Sequence, residues 1–505
     1  MNRSKRTASP LANAGGDCRR SGRRRINSKI SFESDSFKDC ELLQQAIKAS
    51  MITKHANNCR QIPDAPVFRP TPAEFLDPFG YIESIRDEVE DAGICKIIPP
   101  DSWKPPRLFS QCKKERFRTR IQHIHRLQEG VGFDVSDKEY TIPEYKRMAD
   151  AFYRNSFASQ PGSRSSGEVE EMYWKLVRSA STETVVEYGN DIDASRFGSG
   201  FPVSGSSKYV KHPWNLNNIA RLPRSVIRNL DAGVSGVNVP WVYFGMLFST
   251  FCWHAEDLWM YSINYNHFGA PKSWYGVPGS EHRKMEAAMK SQVPGLFDEE
   301  PDLAMNLVTQ ILPETLIASD VPVVHAVQCA GEFIITFPRA FHAGFNQGFN
   351  CTEAVNFATD DWLSHGRIAI DDCRKHCKPP VFSSDKLLIE IIEGGGHPHD
   401  KAILRVELNH IIRSQTDWRQ FWRRKGVENW ILLSSKIETA VDHCSLCNQF
   451  CFLSYMKCGC DNGHTFCLHH VDDDLGCKCP ISKRTAYFRY EIDHLNALGE
   501  SLVER

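Results

Sequence analysis

The sequence predicts an α+β chain: a β-sandwich or jelly-roll core with helices around it, then a helical segment and a small metal-stapled module. Three observations predict this. Between Thr184 and about Ala369, short aromatic and β-branched runs alternate with Gly, Pro and Asn. On both sides of that region apolar residues recur at helical spacing. Eight of the 18 cysteines crowd between Cys444 and Cys479, a density that reads as metal binding rather than as a disulfide scaffold.

Taken in order, residues 1–60 form a basic, largely disordered tail. Nine of the first thirty residues are Arg or Lys and only Asp17 is acidic. Such a run serves nuclear import or loose DNA contact, and its Ser/Gly/Asn composition equally fits a solvated tail. A helix is expected over Glu41–Ile52. A Pro-punctuated stretch then leads to a helix over Ala73–Glu90, in which Phe75, Phe79, Ile82 and Val89 face one way. Gly93–Ile98 alternates like a strand that Pro99 stops. These elements make up residues 61–106. Residues 107–180 are charged and read as mostly helix or loop, with a linker over Ser156–Ser166.

The core, residues 181–380, holds expected strands at Val185–Tyr188, Trp241–Phe251, Met260–Tyr265, Gly331–Phe337 and Glu353–Phe357. Helices are expected at Glu281–Gln292 and Asp302–Ile311. Residues 381–440 turn helical, over Asp385–Ile392 and Lys401–Ser435, and residues 441–495 carry the cysteine cluster.

Composition excludes several classes. The formal net charge is −1, so no global charge directs the chain to nucleic acid or membrane. No apolar stretch follows the basic N-terminus, which argues against a secretory signal. The longest apolar run, Val242–Trp253, is too short to span a bilayer. A soluble intracellular protein, acting without a membrane, is the expectation.

The chemistry concentrates around Phe251-Cys252-Trp253-His254-Ala255-Glu256. Residues two apart on a strand share a face, so His254 and Glu256 can bind one metal. His342, in Phe341-His342-Ala343-Gly344, is the candidate third ligand. Two imidazoles and a carboxylate leave coordination positions open, which suits Fe(II) that must also bind a co-substrate and O2. Alone, a His-x-Glu pair is weak, because a histidine near an apolar strand is usually a satisfied core residue. Downstream, Ser262 and Asn264 share a strand face, and Lys272 can pair with a carboxylate of 2-oxoglutarate, although a solvated loop lysine fits its place after Gly269-Ala270-Pro271 too.

His254-x-Glu256, Ser262-Ile263-Asn264-Tyr265, Pro271-Lys272-x-Trp274-Tyr275-Gly276-Val277-Pro278 and His342-Ala343-Gly344-Phe345-Asn346 together resemble the JmjC domain of histone lysine demethylases. Pro66-Val67-Phe68-Arg69-Pro70, Asp77-Pro78 and Gly93-Ile94-Cys95-Lys96-Ile97 resemble the JmjN segment that accompanies it. The resemblance implies a double-stranded β-helix, the cupin-like form of the jelly roll. It implies that His254, Glu256 and His342 bind iron and are catalytic. Tyr188, Phe251, Ser262, Asn264, Lys272 and Trp274 would surround 2-oxoglutarate, with the Tyr188 hydroxyl and Lys272 sharing its distal carboxylate. Gly236, Tyr243, Ala354 and Asn356 would line the methylammonium pocket, where aromatic and oxygen-rich walls suit a diffuse positive charge. The implied reaction hydroxylates an N-methyl carbon with loss of CO2 and succinate. The product collapses to formaldehyde and demethylated lysine.

In the cysteine cluster, Cys444-x2-Cys447, Cys458-x-Cys460, Cys467-x2-His470 and Cys477-x-Cys479 supply eight ligands in four pairs, enough for two tetrahedral Zn(II) sites. Cys451 reads as buried, and His443, His464 and His469 are lesser alternates. The segment resembles the C5HC2 zinc finger that follows JmjC in the JARID branch. That resemblance implies interleaved sites, Cys444, Cys447, Cys467 and His470 on one zinc and Cys458, Cys460, Cys477 and Cys479 on the other. The branch implies methylated lysine at position four of histone H3, a nuclear location and chromatin complexes. Alternatives are lysine nine or thirty-six, a JmjC protein hydroxylase, and a non-catalytic chromatin scaffold. The sequence departs from animal JARID members by having no ARID or PHD insert between JmjN and JmjC, an arrangement more like the plant members. The FYRN and FYRC segments of many of those are not found in it.

Overall fold

The computed structural model describes residues 62–110, 114–129, 132–158, 162, 164–179, 182–230, 233–292, 309–433, 443–460, 464–470 and 479–503. The expected basic tail and Glu41–Ile52 helix, most of the Asp302–Ile311 helix, and Cys477 lie outside the described residues. The chain divides into two units, residues 1–61 and 62–505, and the described residues all belong to the second.

Among the described residues seventeen strands organise it. They are β1 (Val67–Phe68), β2 (Ile94–Ile97), β3 (Arg116–His123), β4 (Asp134–Thr141), β5 (Val185–Asp193), β6 (Trp241–Gly245), β7 (Thr250–His254), β8 (Tyr261–Gly269) and β9 (Lys272–Val277). Then come β10 (Val324–Gln328), β11 (Phe333–Thr336), β12 (Phe341–Asn346), β13 (Asn350–Phe357), β14 (Asn429–Leu432), β15 (Ser454–Cys458), β16 (Thr465–Phe466) and β17 (Arg484–Phe488). The consecutive strands β6–β13 form two four-stranded arrays, β11-β8-β13-β6 and β10-β9-β12-β7, the expected double-stranded β-helix. The chain crosses repeatedly between the arrays, which brings residues far apart in sequence to one cavity.

The first array is extended at both edges into a nine-stranded sheet. At one edge β2 pairs with β11, Ile94 opposite Thr336 and Ile97 opposite Phe333, with both isoleucines fully buried. The 61–106 segment thus covers an edge of the core sheet that would otherwise stand open. Its single expected helix is three short pieces, Glu74–Leu76, Pro78–Ser84 and Arg86–Glu90, because the backbone leaves helical geometry at Asp77 (φ −123°, ψ 90°) and at Ile85 (φ −102°, ψ 1°).

At the other edge stand β5, β3 and β4; residues 107–180 are mostly helix and loop, but β3 and β4 among them were not expected. In β3, Phe117 and Thr119 are buried while Arg116, Arg118 and Arg120 are exposed, a strand alternation hidden by its arginines. The helices Ile142–Ser156 and Ser166–Arg178 follow, each opened by a complete capping box, Thr141 with Glu144 and Ser165 with Glu168. The run Trp241–Phe251 is two strands, not one. The chain turns at Phe248 (φ +69°), held by Ser249 Oγ against both backbone groups of Met246.

Behind the core, helix Ser384–Glu393 matches expectation, whereas the helix from Lys401 ends at Arg424 rather than Ser435. Gly426 (φ +100°) provides the left-handed exit, and Trp430 sits on β14, which pairs with β17. Strands β14-β17-β15-β16 form the small C-terminal sheet, packed on Trp422, Val427, Met456, Phe466, Leu468 and Ala486. Among the described residues no helix is long and apolar enough to cross a membrane.

Candidate active site

Register places the three candidate ligands. Strands β7 and β12 run antiparallel with His254 opposite His342. The imidazole centroids lie 4.1 Å apart, and His342 Nε2 is 3.4 Å from Glu256 Oε1. Only glycine fits at 344, where a Cβ would come 2.0 Å from the Ser273 carbonyl oxygen; β12 can therefore lie close against β9. The strand-face argument for Glu256 is corrected: β7 ends at His254, and Glu256 lies in extended backbone just before the 3-10 turn Asp257–Trp259. It reaches the histidines from a loop.

One ligand atom from each of His254, Glu256 and His342 lies within 4.8 Å of the other two. His254 Nδ1 contacts the Cys252 carbonyl at 2.8 Å and His342 Nδ1 the Ala340 carbonyl at 3.4 Å, which leaves both Nε2 atoms for the cluster. Burial, and then the neighbouring His342, push His254 down to about 4, so its ring is neutral. Burial pushes the Glu256 carboxyl up, but hydrogen bonding and charge from His342, then His254 and Asn356, outweigh it and hold the group at about 2. At neutral pH the cluster thus offers an imidazole that cannot protonate and a carboxylate that stays ionised beside His342. This donor set fits a divalent transition metal such as Fe(II).

All thirteen residues expected around iron, co-substrate and methylammonium line one cavity of about 460 Å³. Lys272, read as a possible loop residue, opens β9 and is 2% exposed. Its Nζ donates to Tyr188 Oη (3.1 Å) and Thr352 Oγ1 (3.3 Å) and sits 4.9–5.7 Å from the rings of Tyr188, Tyr243, Phe251 and Trp274. Burial pushes its ammonium down to about 7. No ion pair joins it to any carboxylate among the described residues. A buried ammonium without a counter-ion is costly, so the cavity fits a ligand that brings its own carboxylate, as 2-oxoglutarate does.

Supporting residues that sequence reasoning missed hold the wall in place. Gln328, on β10, accepts from Trp274 Nε1 (2.9 Å) and donates to Asn264 Oδ1 (3.2 Å), fixing two expected co-substrate residues at once. Thr336 pairs with Ser262 at 2.6 Å. Asp191 sits at a register shift in β5 with φ +57° and lines the same cavity. Burial pushes its carboxyl up to about 6 against the pull of Arg120. None of these lies in a recognisable motif; each is a lone polar residue that the sheets bring inward.

In the C-terminal module Cys444, Cys447, Cys467 and His470 converge, and separately Cys458, Cys460 and Cys479 do. The grouping matches the interleaved expectation for the described ligands. Cys447 Sγ lies 3.8 Å from Cys467 Sγ. That is the edge of a tetrahedron with Zn–S bonds of about 2.3 Å, so the set fits Zn(II). Cys451 is 3% exposed, and His443, His464 and His469 stand outside both groups.

Comparison with known proteins agrees with this geometry. Residues 241–357 match the family described as JmjC domain, hydroxylase, residues 66–99 the jmjN domain, and residues 444–498 the C5HC2 zinc finger. An Arabidopsis thaliana protein, JMJ16, whose name includes "lysine-specific demethylase", is 36% identical over 549 residues, covering 89% of this chain and 45% of that protein. "Lysine-specific demethylase JMJ703" of Oryza sativa subsp. japonica is 37% identical over 516 residues, covering 87% and 41%. The chain spans less than half the length of these curated relatives. The chain therefore carries a JmjC domain, a JmjN segment and a C5HC2 zinc finger.

Proposed function

We propose that the chain is an Fe(II)- and 2-oxoglutarate-dependent histone lysine demethylase acting in the nucleus on the methylated H3 tail, with lysine four as its mark. The observation that carries this reading is the single cavity joining the His254–Glu256–His342 cluster to the unpaired, buried Lys272. The demethylase names of the relatives support the same class.

His254, Glu256 and His342 would hold the iron, and three protein ligands leave it able to take a co-substrate as well. Lys272 Nζ and Tyr188 Oη would bind the distal carboxylate of 2-oxoglutarate. Asn264 and Trp274, set by Gln328, would wall it, with Ser262 and Phe251 alongside. When bound, iron and 2-oxoglutarate supply the oxidising power that inserts one oxygen atom from O2 into an N-methyl C–H bond. Tyr243, Gly236, Ala354 and Asn356 would place one methyl group for that insertion. Because no lone pair on nitrogen is required, trimethyl-lysine is as eligible as its lower forms. The zinc module, with two Zn(II), is architectural. The basic tail is a candidate contact to nucleosomal DNA, and further chromatin partners belong to the same reading.

Mass spectrometry of methylated H3 peptides incubated with the protein, Fe(II), ascorbate and 2-oxoglutarate tests this. The expected product is one methylene lighter, with formaldehyde released, and the peptide methylated at lysine four reacts fastest. A product heavier by one oxygen means a hydroxylase. No co-substrate-dependent change on any methylated peptide leaves a binding scaffold.

A further inference from the structure

A second cavity, of about 300 Å³, opens where helices Trp362–Lys375, Ser384–Glu393 and Lys401–Arg424 meet the zinc module. Nothing in the iron chemistry uses it, yet the two cavities share a wall. Pro380 lines both, at the end of a Lys378–Val381 segment that rims the iron cavity. Asn448 and Gln449 of the zinc module brace that segment, donating at 2.9 Å to the carbonyls of Cys377 and Lys378.

The chemistry of the cavity is aromatic and acceptor-rich. Trp362, Phe382 and Phe452 are buried in its wall, and Trp418 is half-buried. Gln449 is 3% exposed; its amide nitrogen is used, but its Oε1 is buried with no hydrogen-bond partner. Asp385 lines the cavity and is exposed; Arg374 attracts its charge, but it forms no ion pair among the described residues. The fixed cations nearby already have carboxylates, Arg367 with Glu407 at 2.7 Å and Arg374 with Asp371. An unused acceptor, an unused carboxylate and an indole face together match a planar guanidinium, which carries several N–H donors and stacks on aromatic rings. The buried Arg374 Nε, also without a partner, is a donor suited to a peptide carbonyl beside that side chain.

We propose that this second cavity binds an arginine side chain of a basic peptide, the same chain whose methylated lysine enters the iron cavity across Pro380. The identity of that peptide as substrate rests on the demethylase reading; the affinity for arginine does not. An acid in the first turn of a helix also favours the helix, so loss of stability in a variant is no support.

The test is a double-mutant cycle on the full chain by fluorescence anisotropy. It uses a trimethyl-lysine H3 peptide and twins in which each arginine is replaced by its neutral isostere citrulline. One of these replacements is expected to weaken binding about tenfold, the scale of a charge-assisted contact. D385N should weaken the native peptide equally and leave that citrulline twin unchanged. Trp418→Ala should behave the same way, guarding against an effect peculiar to the carboxylate. Equal losses for both peptides, or affinity indifferent to every arginine, would overturn the proposal. Turnover is measured on the same samples. Turnover without coupling removes the arginine site and keeps the demethylase; coupling without turnover does the reverse.

Discussion

The iron cavity and the zinc module both gather His and acidic or thiol ligands, but they are built in opposite ways. In the first, ligands from β7, a loop and β12 meet because two packed sheets fix the register, among buried rings and isoleucines of the core. In the second, ligands come in pairs a few residues apart, beside a small cluster of six buried residues among those described. The difference teaches where each metal enters the energetics. A metal in the first region adds chemistry to a site already organised, whereas in the second its binding free energy is folding free energy.

The sharpest way to break that comparison is to remove each site in turn. His254→Ala should reduce turnover to background while amide-exchange protection across β6–β13 persists. Chelating zinc should collapse protection over residues 443–498 and spare β6–β13. If either region loses its protection along with the other, the two are one cooperative unit and the contrast fails.

Next in size is the co-substrate anchor. Lys272→Met removes a buried charged donor, and charge-assisted contacts of about 1.5–3 kcal/mol correspond to roughly a hundredfold weaker 2-oxoglutarate at the upper end. An unchanged KM for 2-oxoglutarate would place the distal carboxylate elsewhere.

The same lysine sets a pH dependence. Burial lowers its pKa to about 7 in the free protein, so above that value it is mostly neutral. Only the protonated form suits a carboxylate. Affinity should therefore fall as pH rises past 7, by up to about tenfold per unit, with a proton taken up on binding. Calorimetry in buffers of different ionisation enthalpy reads that proton, and a proton count near zero at pH 8 would contradict it.

The smallest effect concerns a residue with no motif. Gln328→Ala leaves Trp274 Nε1 and Asn264 without their shared partner, a loss of about 1 kcal/mol or roughly fivefold in co-substrate affinity. Gln328→Glu keeps the acceptor for Trp274 but loses the donor to Asn264, and should recover part of it. Equal losses in both variants would mean that Gln328 only fills space.

The same contrast explains how much was legible in the sequence. His254-x-Glu256, Lys272-x-Trp274 and the Cys pairs are local patterns, so short spacing exposed them. Gln328 and Thr352 reach the cavity residues Trp274 and Lys272, and Asp191 lines the cavity, only through sheet register, and nothing beside them in sequence marks it. The eight core strands were partly visible; β9, β10 and β12 were not singled out, since β9 and β12 are buried along their whole length and lack a two-residue alternation. Strand β3 hid behind its arginines, and the end of the long helix behind a continuing run of aromatics that outweighed Gly426. Glu256 was placed in the right cluster for an incorrect reason, since a loop and not a strand face delivers it.

In the proposed reading His254, Glu256 and His342 hold an iron to which 2-oxoglutarate, anchored by Lys272, binds directly. Anaerobic titration of the Fe(II)-loaded protein with 2-oxoglutarate tests it most directly, because chelation of Fe(II) by a 2-oxo acid produces a visible charge-transfer band. The wild type should develop the band, Lys272→Met should need far more co-substrate to reach it, and His254→Ala should not show it. Absence of the band in the wild type, or the same band in His254→Ala, would contradict the account.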